Sequence, residues 1–126
     1  LSSTITDKIL CNARYDDILA DTAVLITDYS SIAYDAFYRG ARVIFYWEEK
    51  DYCMAQYGPS TRLMLDEENV YGDFAYSTEN FGDTVRRNYE NPQTEEQIER
   101  YSKIVEFRDG RNTERLIGFL KNDEII

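Results

Sequence analysis

The segment Ile26-Thr27-Asp28-Tyr29-Ser30-Ser31-Ile32 concentrates more polar chemistry than any other stretch of this 126-residue chain. It sets a carboxylate and two serine hydroxyls directly after the apolar run Ala23-Val24-Leu25-Ile26. A run of that length, β-branched at Val24 and Ile26, predicts a parallel strand buried on both faces. The polar residues behind it are good helix N-caps, and the helix they open carries Ile32, Tyr34, Ala36, Phe37 and Tyr38 before stopping at Gly40. Ligands of open α/β sheets sit beyond the carboxyl ends of the strands, where such helices begin. A helix N-terminus presents unpaired N–H groups and about half a positive charge, so Ser30 and Ser31 could hold a phosphate without help from Lys or Arg. Alternatively, Asp28 or Ser30 only caps the helix, a contribution of about 1 kcal/mol.

Composition narrows the chemistry further. The sequence has no histidine, which removes the commonest general base near neutral pH and the commonest zinc ligand. Proton transfer must then use Asp, Glu, Ser, Tyr or a group from outside. With 14 Lys and Arg against 24 Asp and Glu, the formal net charge is −10, which argues against nucleic acid as a partner. The acidic groups Glu48-Glu49-Lys50-Asp51 and Asp66-Glu67-Glu68 lack the spacing of a calcium loop and read as solvated loops, so no metal site is expected. Asp35 lies about a turn beyond the cap and reads as a structural or solvated acid rather than as a partner of Asp28. Cys11 and Cys53 are too few for a disulfide framework and read as buried thiols. Eleven tyrosines, among them Tyr29, Tyr34, Tyr38, Tyr46 and Tyr52, could stack on a base or line a polyol pocket, or simply pack at the core and its rim. No run is long enough for a membrane helix and no signal sequence is evident, which predicts a soluble, cytosolic chain. The start at Leu1, inside a polar stretch, suggests a piece of a longer protein.

The remaining pattern predicts one α/β domain over residues 1–126. A short strand over Lys8–Cys11 and a helix over Tyr15–Ala20 precede the Ala23–Ile26 strand, and Arg42–Trp47 supplies the next strand, reached by a parallel crossover. Residues 48–77 read as mostly loop, with short strands near 63–65 and 74–76. Thr78 caps a helix running to Asn91, with Phe81, Val85 and Tyr89 on one face. Thr94-Glu95-Glu96-Gln97 is a capping box, and it opens a helix bearing Ile98, Tyr101, Ile104 and Val105. A last helix, capped by Asn112 or Thr113, carries Leu116, Ile117 and Leu120. Strand–helix alternation followed by a helical tail predicts a Rossmann-like open parallel sheet.

The block from Ala23 to Ile32 with Tyr34-Asp35, the strand Val43-Ile44-Phe45-Tyr46 with Asp51-Tyr52, and Asp109-Gly110 ahead of Thr113-Glu114-Arg115 together resemble the C-terminal part of the CDP-glycerol glycerophosphotransferases, which build teichoic acids and related polymers. The likeness runs from about Asp21 to Leu120 and is loose over 54–76. It implies part of the C-terminal, donor-binding domain of a glycosyltransferase B-type fold. It also implies transfer of glycerol phosphate from CDP-glycerol, as substrate rather than cofactor, to a polymer acceptor that approaches through an N-terminal domain. Asp28, Ser30 and Ser31 fall on what resembles a donor-phosphate site, while Thr27, Tyr29, Asp109 and Gly110 fall where they could face the donor cleft. The family's catalytic histidines lie upstream of the matched part, so no catalytic residue is expected in this chain. The full protein would then work at the cytoplasmic face of the bacterial membrane. A piece of such a domain leaves exposed sheet edges and could pair with a second copy. Two rival readings remain at this point: a nucleotide-sugar transferase of capsule synthesis, and a non-catalytic acidic binding domain.

Overall fold

A computed structural model of the chain describes residues 9–10, 12–58, 60 and 63–126. Among these, six helices and three strands follow one another: α1 (Tyr15–Ala20), β1 (Val24–Thr27), α2 (Ile32–Tyr38), β2 (Arg42–Tyr46), α3 (Lys50–Tyr57), β3 (Asp73–Ala75), α4 (Phe81–Glu90), α5 (Glu95–Ser102) and α6 (Asn112–Asn122). The strands form one parallel sheet in the order β1-β2-β3. Val24 to Thr27 lie opposite Arg42 to Phe45, and Ile44 to Tyr46 lie opposite Asp73 to Ala75. This is the Rossmann-like open α/β arrangement expected from the strand–helix alternation, with the helical tail behind it.

Only β2 is flanked on both sides, and Arg42 to Phe45 are correspondingly buried. Around it pack Leu19, Ala33, Ala36, Phe37, Trp47 and Val70, with Tyr71 and Tyr101 closing the core. Tyr71 meets Phe37, Phe45 and Tyr101 edge-on, with ring centroids at 4.9, 5.5 and 5.0 Å. Edge-to-face contacts of this kind add to the stabilisation from burial alone.

Helix α2 is held at its C-terminal end by the tail of the chain. Its last carbonyls lack intrahelical partners. Arg108 donates to the carbonyls of Phe37 and Tyr38, and Gln93 Nε2 donates to those of Phe37 at 2.8 Å and Ala41 at 2.7 Å. The Arg108 guanidinium also lies over the rings of Phe37 and Tyr101, and its charge suits a helix C-terminus. The capping box at Thr94 forms as read from sequence: Gln97 N–H donates to Thr94 Oγ1 and Thr94 N–H to Gln97 Oε1.

Several expectations need correction. The strand over residues 8–11 falls partly on Lys8 and Cys11, outside the described residues, and Ile9 and Leu10 are exposed and in no strand. Strand β1 is not buried on both faces: among the described residues it is an edge, and Ile26 is 46% exposed. Residues 50–57, read as loop, form α3; no residue of it is buried, so it lacks the apolar periodicity that would have revealed it. Around 63–65 no strand forms among the described residues, and β3 lies one residue earlier than read, over 73–75. In α4 the inward position is Asn88, held by Asp73 and the Thr84 carbonyl, while Tyr89 is 71% exposed. The N-cap of α4 is Asn80 rather than Thr78, and that of α6 is Arg111 rather than Asn112 or Thr113. Cys53 is a free, half-buried thiol, whereas Cys11 lies outside the described residues.

Candidate functional site

The carboxyl ends of β1, β2 and β3 bring three segments to one edge of the sheet: the Thr27–Ser31 turn, Trp47 with the start of α3, and Tyr76. The turn is built locally. Asp28 Oδ1 accepts from Tyr29 N–H at 2.6 Å, and Ser30 Oγ accepts a long 3.4 Å bond from Ile32 N–H. Ser31 occupies the N-cap position of α2 with helical backbone angles and makes no side-chain capping bond. Neither Asp28 nor Ser31 therefore caps α2 through its side chain, and Ser30 does so only weakly. Among the described residues, neither the Ser30 nor the Ser31 N–H donates within the chain. Two amides and an exposed Ser31 hydroxyl at the carboxyl end of a parallel strand suit an anionic ligand.

From below, the turn is fixed by Trp47, whose buried indole donates from Nε1 to the Asp28 carbonyl at 3.2 Å. Its ring stacks parallel to Tyr29 at 6.5 Å and nearly parallel to Phe74 at 5.8 Å. Lys50 Nζ stands 4.7 Å above the same ring and pairs with Glu67 Oε1 at 2.5 Å. Tyr76 donates its hydroxyl to that same oxygen, also at 2.5 Å. Thus the two acidic segments read as solvated loops are in fact joined through Lys50 and Glu67. Trp47, Lys50, Glu67 and Tyr76 were missed as site residues; the available signal was that Trp47 and Tyr76 each follow directly on the last residue of a strand.

Asp109 and Gly110 do not join this group. Gly110 N–H donates to the Tyr38 hydroxyl at 2.9 Å, and the preceding Arg108 binds the Tyr38 carbonyl, at the opposite end of α2 from Ser31. Seven helical residues separate the two ends by about 10 Å. Asp109 is engaged by Arg115 and accepts from Arg111 N–H, and the Arg115 guanidinium holds its carboxyl down to about 2. Asp35 is exposed within α2.

At this edge the resolved ionisation shifts all run away from neutrality. Burial, with Cys53 and Asp28 nearby, pushes Tyr29 up to about 12. The hydrogen bond to Glu67 pushes Tyr76 up to about 12. Lys50 and Tyr76 hold Glu67 down to about 2. Groups so placed donate or accept hydrogen bonds at pH 7 but exchange protons poorly, since an effective general base lies near the working pH.

These shifts have a stability consequence. Because Glu67 titrates lower in the folded chain than its ordinary 4.5, the unfolded state binds the extra proton between those values. Its contribution is fully present above pH 4.5 and drains as pH falls toward 2. The urea midpoint of Glu67→Gln is expected to fall less steeply below pH 4.5 than that of the wild type. Parallel midpoint curves for the two proteins would show that the Lys50–Glu67–Tyr76 link contributes nothing.

Two cavities flank the turn. One of about 70 Å³ lies between Tyr29, Ser30, Tyr34 and Trp47, and one of about 220 Å³ between Asp28, Tyr46, Glu49 and Cys53. Both are smaller than typical small-molecule pockets of about 300–1,000 Å³. The site is therefore defined by the turn and by donors without acceptors among the described residues, not by an enclosed volume.

The family model of CDP-glycerol:poly(glycerophosphate) glycerophosphotransferase matches residues 5–122, covering every element described above. The chain belongs to the CDP-glycerol:poly(glycerophosphate) glycerophosphotransferase family. Comparison with curated proteins and with solved structures finds no match. Among the described residues no helix is long and apolar enough to cross a membrane.

Proposed function

We propose that this chain is the donor-binding part of a transferase that moves glycerol phosphate from CDP-glycerol to a teichoic acid or similar cell-surface polymer. Asp28, Ser30 and Ser31 form the donor-phosphate site, with Thr27 and Tyr29 beside it. The observation that carries this reading is the position of the Asp28–Ser31 block, which lies within the matched family region and forms the turn between β1 and α2, with two amides that have no acceptor among the described residues. In the proposed step, an acceptor hydroxyl attacks the β-phosphorus of CDP-glycerol and a new O–P bond forms. The P–O bond to CMP breaks, CMP leaves with the electron pair, and the acceptor proton passes to a base supplied from outside residues 1–126. The Ser30 and Ser31 N–H groups and hydroxyls stabilise the phosphate charge, acting as donors fixed in place before the reaction. No cofactor is required in this scheme. The acceptor arrives through another part of the full protein, which acts peripherally at the cytoplasmic membrane face.

The test is a titration of CDP-glycerol, CMP and UDP-glucose, followed at the Ser30 and Ser31 amides by NMR, on this chain and on a version extended upstream. CDP-glycerol is expected to shift both amides. The double variant Ser30→Ala, Ser31→Ala is expected to weaken binding by at least about tenfold, or roughly 1.4 kcal/mol. A stronger response to UDP-glucose would move the reading to a nucleotide-sugar transferase. Silence of both amides toward all three nucleotides, in both versions, would leave the turn as a helix start only.

A further inference from the structure

The opposite, amino-terminal edge of the sheet carries a cavity of about 710 Å³, much larger than either cavity beside the donor turn. Arg42 opens β2 and Asp73 opens β3 at its floor, while Thr84 and Arg87 come from α4 and Gln97 and Arg100 from α5. Three guanidinium groups thus meet in one concave site of a chain whose net charge is −10.

The carboxylates lining the cavity are already engaged. Asp73 Oδ2 accepts from Arg87 Nη2 and Asn88 Nδ2, each at 2.8 Å, and Glu96 Oε1 accepts from Arg100 Nη2 at 2.8 Å. Arg42 differs from its neighbours. It is only 6% exposed, and its Nη1 donates to the neutral carbonyls of Asn91 at 3.3 Å and Pro92 at 2.7 Å. Its Nε, fully buried, has no acceptor among the described residues. A buried guanidinium bonded to neutral carbonyls keeps an uncompensated charge, which is costly, and an anion in the cavity it lines would offset that cost. Guanidinium forks match phosphate oxygens in geometry, and the Thr94 hydroxyl and the Gln97 side-chain amide, which also line the cavity, add neutral donors.

We propose that this arginine cavity binds a phosphate-class oxyanion, either the free ion or a phosphodiester of a polyol chain, at a site separate from the donor turn. The cavity has room for more than a single ion. The proposal does not rest on the donor reading, because its reporters, Thr84, Arg87, Gln97 and Arg100, lie on other elements than Ser30 and Ser31.

The experiment titrates the full chain with inorganic phosphate and, separately, with a glycerol phosphodiester trimer, against sodium chloride at matched ionic strength. Saturable shifts at the amides of Thr84, Arg87, Gln97 and Arg100 are expected with the phosphates and not with chloride. Tighter binding of the trimer assigns the site to a polymer, and equal binding assigns it to the free ion. The double variant Arg87→Gln, Arg100→Gln is expected to weaken binding by at least about tenfold. Arg86→Gln, elsewhere on α4, serves as the control and should leave it unchanged. If the double variant fails to fold, the wild-type comparison with chloride still decides. No saturable shift with either probe, identical shifts with chloride, or equal weakening in Arg86→Gln would overturn the proposal.

Discussion

Gly72→Ala is expected to destabilise the chain severely. A Cβ built on Gly72 would lie 2.1 Å from the Val43 carbonyl oxygen, 3.0 Å from the Val43 carbonyl carbon and 3.2 Å from Phe45 Cε2. The first two are backbone atoms of β2, the one strand paired on both sides, so they cannot retreat without disturbing its pairing with β1 or β3. Gly72 also immediately precedes β3 and follows Tyr71, the aromatic centre of the core. A clash of this kind belongs with the overpacking changes at the severe end of the range, on the order of 4 kcal/mol. Total stabilities are only about 5–15 kcal/mol. Gly82→Ala is the internal control. Nothing lies within 4 Å of a Cβ there, and the position is inside α4, so alanine should stabilise by roughly 0.5–1 kcal/mol. Far-ultraviolet circular dichroism and urea midpoints of the two variants check both signs, and an unchanged midpoint for Gly72→Ala would refute the steric argument.

Trp47→Ala should rank next in cost, and it joins stability to the candidate site. The ring is almost wholly buried among Tyr29, Phe45 and Phe74 and carries Lys50 on its face. Removing a buried Trp costs about 3–5 kcal/mol through lost burial and the cavity left behind. It also releases the Asp28 carbonyl, and with it the floor under the Asp28–Ser31 turn. Trp47→Phe separates these two roles. It retains much of the packing but removes the Nε1–H, at a cost of roughly 1 kcal/mol for the lost hydrogen bond. The folded Trp47→Phe protein should show shifted amides at Tyr29 and Ser30 and weaker CDP-glycerol binding. If its amides and nucleotide response match the wild type, the indole does not position the turn.

How much of this was legible beforehand follows from which interactions are local. β1, α2 and β2 could be read because a continuous apolar run, a polar break and a glycine stop are consecutive signals along the chain. The capping box of α5 was legible for the same reason: Thr94 and Gln97 bond only to each other's backbone. The polar turn at Asp28–Ser31 also stood out, since its chemistry and its place after a strand are both written in ten consecutive residues.

What escaped was whatever depends on partners distant in sequence. α3 buries no residue, so its apolar pattern gave no period to find. Asn88 takes the inward place expected of Tyr89 because Asp73, fifteen residues earlier, offers it a hydrogen bond. The exposed edge of β1 follows from its having a neighbour on one side only among the described residues. Lys50, Glu67 and Tyr76 looked like unrelated loop residues until the ends of β2 and β3 were set side by side. Asp109 and Gly110 were grouped with the serine turn, yet Arg108 fastens them to the far end of α2. By itself the sequence determined the α/β class, the family and the polar turn between β1 and α2, because these rest on local order and residue type. Only the tertiary structure decided which charges meet, what lies beneath the turn, and that three arginines from β2, α4 and α5 share one cavity. Those outcomes depend on long-range strand pairing and packing, which no short stretch of the chain encodes alone.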